Sequence, residues 1–211
     1  MSASLFPETV ETDRLRLVRV DADDAGALDL YEHWRAGASD IDETTAQVSW
    51  DPYDNPGRVA ETLERAAGRV ADGDGPMYLV RPREGEAGAG EIAGTAGLFT
   101  DWDRQLGVFG VWLRKPFWGR GYSGERADAM LELAFDRLDL GLVRVSHLPE
   151  NGNSERAITK YVDRHGGRRA GRFRNRLCFE DGSIHDAVTY SISQSEWRDA
   201  DGAEAAVEFR G

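Results

Sequence analysis

Lysine is almost missing from this 211-residue chain: of its 26 Lys and Arg residues, only Lys115 and Lys160 are lysines. Against 38 Asp and Glu, the cations leave a formal net charge of −12 and a pI near 4.8. This shortage of positive charge argues against nucleic acid as a main partner, since binding a phosphate backbone needs a cationic footprint. Cysteine is reduced to Cys178, so no intrachain disulfide can form, as befits a reducing compartment. No apolar run approaches the roughly 20 residues that cross a bilayer, and residues 1–10 lack the basic start and apolar stretch of a secretion signal. The expectation is a soluble, cytoplasmic protein with no membrane partner. Acid and arginine are abundant instead, a surface composition like that of salt-adapted cytosolic proteins. The 40% apolar and 9% aromatic residues are enough for a core.

Hydrophobic periodicity gives the element order. Residues 12–20 alternate apolar and charged, as a half-buried strand does. Asp21 or Asp23 is then expected to cap a helix running to Trp34, with Leu28, Tyr31 and Trp34 on one face. A polar loop over 37–56 leads to a second helix carrying Val59, Leu63, Ala66 and Val70. Strands are expected at 77–80, 92–99 and 106–113, the first two parted by a glycine-rich hairpin tip. A helix over 122–138 presents Ala127, Met130, Leu131, Ala134, Phe135 and Leu138 on one apolar face. A strand at 142–146, a helix at 153–164 closed by Gly166-Gly167, and strands at 172–179 and 187–192 complete the pattern. That order predicts a mixed α/β fold. Its largely antiparallel twisted sheet has about seven strands and about four flanking helices, and only 106–146 forms a parallel crossover. The chain reads as one domain, 1–211, with its core over about 12–197 and a weakly ordered tail at 199–211.

Between the strand at 106–113 and the following helix lies Trp118-Gly-Arg-Gly-Tyr-Ser123. Gly119 and Gly121 let backbone N–H groups face a ligand, and the helix N-terminus adds unpaired donors and the positive end of a dipole. Together these suit a phosphate, with Arg120 as an added charge; the plainer reading is a turn before an amphipathic helix. Gly119-x-Gly121-x-x-Gly124 also satisfies a dinucleotide-binding pattern. That motif, however, needs its first glycine at the strand tip and an acid after the next strand, and neither is present.

In this order, residues 115–123 resemble the acetyl-CoA pyrophosphate loop of the GCN5-related N-acetyltransferase (GNAT) superfamily, in the form found in its RimJ/RimL-like branch. Asn151-Gly-Asn-Ser154 resembles the same family's N-x-x-S helix start. Residues 181–190 and Glu196-Trp197 resemble that branch's closing strands, so the likeness spans roughly 12–197. Two departures stand out. Pro116 replaces a Gln or Arg before the first glycine, and Gly166-Gly167 replaces Gly-Phe.

The resemblance implies acetyl-CoA as co-substrate, no metal and, from family habit, a homodimer. It places the thioester carbonyl against backbone N–H groups of Val111, Trp112 and Leu113, and the pyrophosphate on Trp118, Gly119, Arg120, Gly121, Tyr122 and Ser123. It puts the pantetheine arm near Asn151 and the sulfur under Ser154, whose hydroxyl can protonate the leaving thiolate. Ser154 and Asn153 read equally well as helix caps. Tyr161, two turns on, is an alternative acid or a core residue. No base stands out: Asp186, Glu91, Asp101 and Asp103 are carboxylates near strand ends, but each also reads as solvated surface. The four histidines lack metal-ligand spacing. Arg164, Arg168, Arg169, Arg172, Arg174 and Arg176 form a local basic run, read here as pairing with neighbouring carboxylates or with a second subunit rather than with CoA's phosphates or an acidic protein substrate. The activity expected is acetyl transfer to a primary amine, with a protein N-terminal α-amine the favoured acceptor. A small-molecule amine, or a non-catalytic acyl-CoA sensor on the same fold, is the alternative. Acceptor selectivity is expected from 37–56, with Trp50 and Tyr53.

Overall fold

The computed structural model describes residues 5–23, 25–200 and 207–211. In chain order its elements are β1 (Thr9–Glu11), β2 (Leu15–Arg19), α1 (Ala27–Trp34), α2 (Ile41–Thr45), α3 (Pro56–Asp72), β3 (Met77–Pro82), β4 (Gly94–Asp101) and β5 (Leu106–Leu113). There follow α4 (Tyr122–Glu132), β6 (Leu142–His147), α5 (Gly152–Arg164), β7 (Arg168–Cys178), β8 (Ile184–Ser193), α6 (Gln194–Asp199) and β9 (Glu208–Arg210). One sheet, ordered β7-β8-β6-β5-β4-β3-β2-β1-β9, joins all nine strands. Every neighbouring pair is antiparallel except β5 and β6, which the α4 crossover makes parallel. The expected mixed, largely antiparallel architecture is therefore present.

Two apolar clusters cover the sheet. One gathers α4, α5 and the sheet residues facing them, including Ala127, Met130, Leu131, Ala134, Phe135 and Leu138, all buried as their spacing predicts. That helix keeps its apolar face beyond Glu132 by widening into a π-helical turn at Leu133–Arg137. The other cluster packs Leu30, Trp34, Ile41, Tyr53, Val59 and Trp112.

Several local expectations are corrected. The first helix begins only at Ala27, because Asp23 is not its cap; it is paired with Arg81 at 2.8 Å, and Asp29 closes the first turn onto the Gly26 N–H. The buried face shifts accordingly to Leu30 and Trp34, leaving Leu28 69% exposed. The 37–56 loop contains α2, folded around buried Ile41. Two short strands extend the sheet beyond the expected seven. Of the tail expected to be weakly ordered, 201–206 lie outside the described residues, while β9 pairs with β1 and Phe209 packs onto the core. A three-residue strand with one apolar side chain carries too little pattern to be read from sequence.

Candidate active site

Parallel pairing between β5 and β6 runs from Leu106↔Leu142 to Phe109↔Val145 and stops, although β5 continues to Leu113 and β6 to His147. The strands splay there. Hydrogen-bond alternation tells which β5 groups face the opening. Arg114 donates its N–H to the Ala93 carbonyl, beside β4, whereas the Gln105 carbonyl accepts from Leu142, beside β6. Even-numbered residues of β5 thus point to β4 and odd-numbered ones to β6. The N–H groups of Val111 and Leu113 are left facing the gap with no strand to accept them among the described residues. The N–H of Trp112 turns the other way, so its expected donor role passes to its neighbours. Its indole instead joins the aromatic cluster on the α1/α3 face.

The glycine loop follows directly. Gly119 and Gly121 adopt φ of +75° and +82°, a left-handed conformation that side chains with a Cβ resist. Gly121 caps α4 with no side-chain bond, and the first bonded helix amides are those of Gly124 and Glu125, both donating to the Gly121 carbonyl. Among the described residues, the N–H groups of Gly119, Arg120, Gly121, Tyr122 and Ser123 have no acceptor. Trp118 ties the loop to the splayed edge by donating its indole N–H to the Leu113 carbonyl at 2.8 Å. Two side chains expected here are engaged elsewhere. Arg120 donates to the Ala87 carbonyl and lies over the Phe117 ring, and buried Tyr122 donates its hydroxyl to Glu86. The loop offers backbone donors rather than a free cation.

Beside the splay lies a cleft of about 380 Å³. Val111, Trp112, Asn151 and Ser154 all line it. The α5 cap is Asn151, whose side-chain carbonyl accepts from the Ser154 N–H at 2.9 Å. Neither Asn153 nor Ser154 caps the helix. The Ser154 hydroxyl has no hydrogen-bond partner among the described residues and is free to face a ligand.

Tyr161 and Asp186 do not line the cleft. Tyr161 is 1% exposed, its hydroxyl is unpartnered, and burial pushes its pKa up to about 12, opposed by the nearby Arg126 guanidinium. It is a core residue. Asp186 is held below the usual carboxylate range, first by Arg172, at 2.9 Å, and then by the N–H of Asn175. It braces the β7–β8 hairpin. Arg164 pairs with Asp128 and Arg168 with Glu196, so three members of the basic run neutralise local acids, as expected.

Sequence reasoning missed three cleft residues, His147, Arg65 and Arg69. His147 is 4% exposed; its Nδ1 lies 2.7 Å from the Leu148 carbonyl, which can only accept, so Nδ1 carries a proton. Nε2 has no partner. Position at a strand end just before Asn151 was the only available signal.

A splayed parallel pair with free amides is thus followed by a glycine-rich helix start and flanked by a cleft that Ser154 lines. The family model for the acetyltransferase (GNAT) domain matches residues 14–161, and the chain belongs to that family of acetyltransferase enzymes. It is 24% identical over 145 residues to an uncharacterised N-acetyltransferase, p20, of Bacillus licheniformis, covering 68% of this chain and 75% of that one. Among solved structures, Mycobacterium smegmatis RimJ in complex with CoA-disulfide superposes with a TM-score of 0.73 at 16% identity, over 93% of this chain and 92% of that one. The Microcin C7 self-immunity acetyltransferase MccE, in complex with acetyl-CoA and AMP, has the same TM-score at 15% identity, over 91% and 99% of the two chains. Among the described residues, no helix is long and apolar enough to cross a membrane.

Proposed function

We propose that the protein transfers the acetyl group of acetyl-CoA to a primary amine, with a protein N-terminal α-amine as favoured acceptor, in the manner of the RimJ/RimL-like branch. The observation carrying this reading is the splay of β5 from β6, which leaves Val111 and Leu113 with unpaired N–H groups beside a cleft holding Ser154. The residues fit the co-substrate: free loop amides of 119–123 suit its pyrophosphate, and the Val111 N–H suits its thioester carbonyl. Acetyl-CoA supplies the activated acyl carbon. The amine nitrogen bonds to that carbon and the C–S bond breaks, while Ser154 donates a proton to the departing thiolate. The proton lost by the amine passes through the cleft, where His147 Nε2 and the exposed Glu180 carboxylate are acceptors without a partner among the described residues, and returns to Ser154 to restore its hydroxyl. RimJ and the ribosomal-protein acetyltransferases of Vibrio among the structural neighbours favour a protein N-terminus.

Gly119 offers a clean test, since a Cβ there meets nothing within 4 Å. Gly119→Asp and Gly119→Asn impose the same left-handed strain, but only Asp puts a carboxylate in the cradle. The Asp variant should bind acetyl-CoA at least about 100-fold more weakly than the Asn variant by calorimetry. Equal affinities would refute the loop assignment.

A further inference from the structure

The α1/α3 side of the cleft is built unlike the rest of the molecule. Its wall is aromatic: Trp50 stacks on Tyr53 at 5.8 Å, and Trp34 and Trp112 meet Trp50 at 6.0 and 5.6 Å. The indole N–H groups of Trp34 and Trp112 are buried without acceptors among the described residues. Two arginines from α3, Arg65 and Arg69, line the same cleft. Neither has a carboxylate within ion-pair distance among the described residues, although Arg58 on the same helix is paired with Glu61 at 2.9 Å. Arg65 is steered by its hydrogen bond to Thr62, which also contacts the Tyr53 hydroxyl. Arg69 lies 4.5 Å over the Phe99 ring, its buried Nε has no acceptor, and burial lowers its pKa. In a chain with 38 acids, an exposed and a half-buried arginine without counter-ions among the described residues share the cleft with two buried indole donors, and a ligand anion there would satisfy this positive polarity.

We propose that this wall selects an acceptor amine that also carries a carboxylate, bound by Arg65 and Arg69, with its apolar body against Trp34, Trp50, Tyr53 and Trp112. The inference deepens the acetyltransferase reading and rests on it for the word acceptor. The carboxylate has two sources, a peptide with an acidic residue beside its N-terminus or a free amino acid. A cleft of about 380 Å³ admits either a free amino acid or the first residues of a peptide.

Binding is tested without turnover by quenching of tryptophan emission in the full chain. The probes are N-acetylphenylalanine, which bears a carboxylate, and its neutral amide. The acid should bind about tenfold more tightly, as expected for charge-assisted hydrogen bonds, and Arg65→Gln/Arg69→Gln should abolish the difference. Equal binding, undetectable binding of both, or a preference surviving the double variant overturns the proposal. Arg65→Gln alone, at an exposed helix position, covers the case in which the double variant fails to fold, and should shrink the preference.

Thiol release from acetyl-CoA then compares Ser-Glu and Ser-Gln peptides with free phenylalanine. A faster Ser-Glu peptide points to the peptide source, and faster phenylalanine to the amino acid; in both cases the double variant should lose the advantage with an unchanged KM for acetyl-CoA. Turnover indifferent to the carboxylate overturns the inference and leaves the acetyltransferase reading intact. Carboxylate binding with no turnover of any amine does the reverse.

Discussion

Ser154 and Asn151 divide between them two roles that coincide in many helix starts. Asn151 holds the first turn of α5 by accepting from the Ser154 N–H, while the Ser154 side chain makes no hydrogen bond among the described residues. Asn151→Ala should therefore cost about 1 kcal/mol of stability. Ser154→Ala should leave the melting temperature within error yet lower turnover about 100-fold. Thermal melts and steady-state kinetics on both variants decide this; destabilisation by Ser154→Ala with normal turnover would make it structural after all. The same distinction could not be drawn from residue types. Asn, Ser and Asp all cap helices, and only a backbone bond shows which one does. Asp186 illustrates the converse: a carboxylate near a strand end is a fair candidate base until Arg172 is found on it.

At the scale of elements, periodicity located the parts that bury a continuous face. β5 runs over the predicted 106–113 because turns bound it on both sides, and the apolar stripe of α4 is buried as spaced. Segments too short to carry a repeating pattern were not legible, among them α2 and β9, nor was the start of α1. His33, in the last turn of α1, shows how such an element is tied to the site. It shares a small cavity of about 90 Å³ with Trp112 and Arg114, and burial, followed by the Arg114 charge, pushes its pKa below 6.5. A lowered pKa means that the folded state favours neutral His33. Its contribution is complete above pH 6.5 and is lost as pH falls through the depressed folded value, because the unfolded chain binds the proton more readily. The melting temperature should thus drop between pH 7.5 and 5.5 by a larger margin in the wild type than in His33→Gln. Identical drops would show that this contact carries no pH linkage.

For the whole molecule, the net charge of −12 makes compaction self-repulsive, and salt relieves the repulsion. Raising KCl from about 0.05 to about 1 M should raise the melting temperature by several degrees, because the screening length falls from above about 10 Å to about 3 Å over that range. A falling melting temperature would mean that ion pairs such as Arg14–Glu125, at 2.6 Å, outweigh the general repulsion. In the proposed function, the polyanionic donor is met by backbone amides at 119–123 and not by a free arginine. Arg120, the cation within the loop, is held by Ala87 and Phe117.

By itself the sequence determined the layered α/β order, the glycine turn before α4 and the family these imply, because periodicity and turn chemistry are local properties of the chain. Tertiary structure alone decided which amides were left unpaired, that Asn151 rather than Asn153 or Ser154 caps α5, and that arginines from α3 line one cleft with His147 from β6. Those outcomes depend on where two strands part and on which distant side chains then share the opening, and no spacing along the chain encodes either.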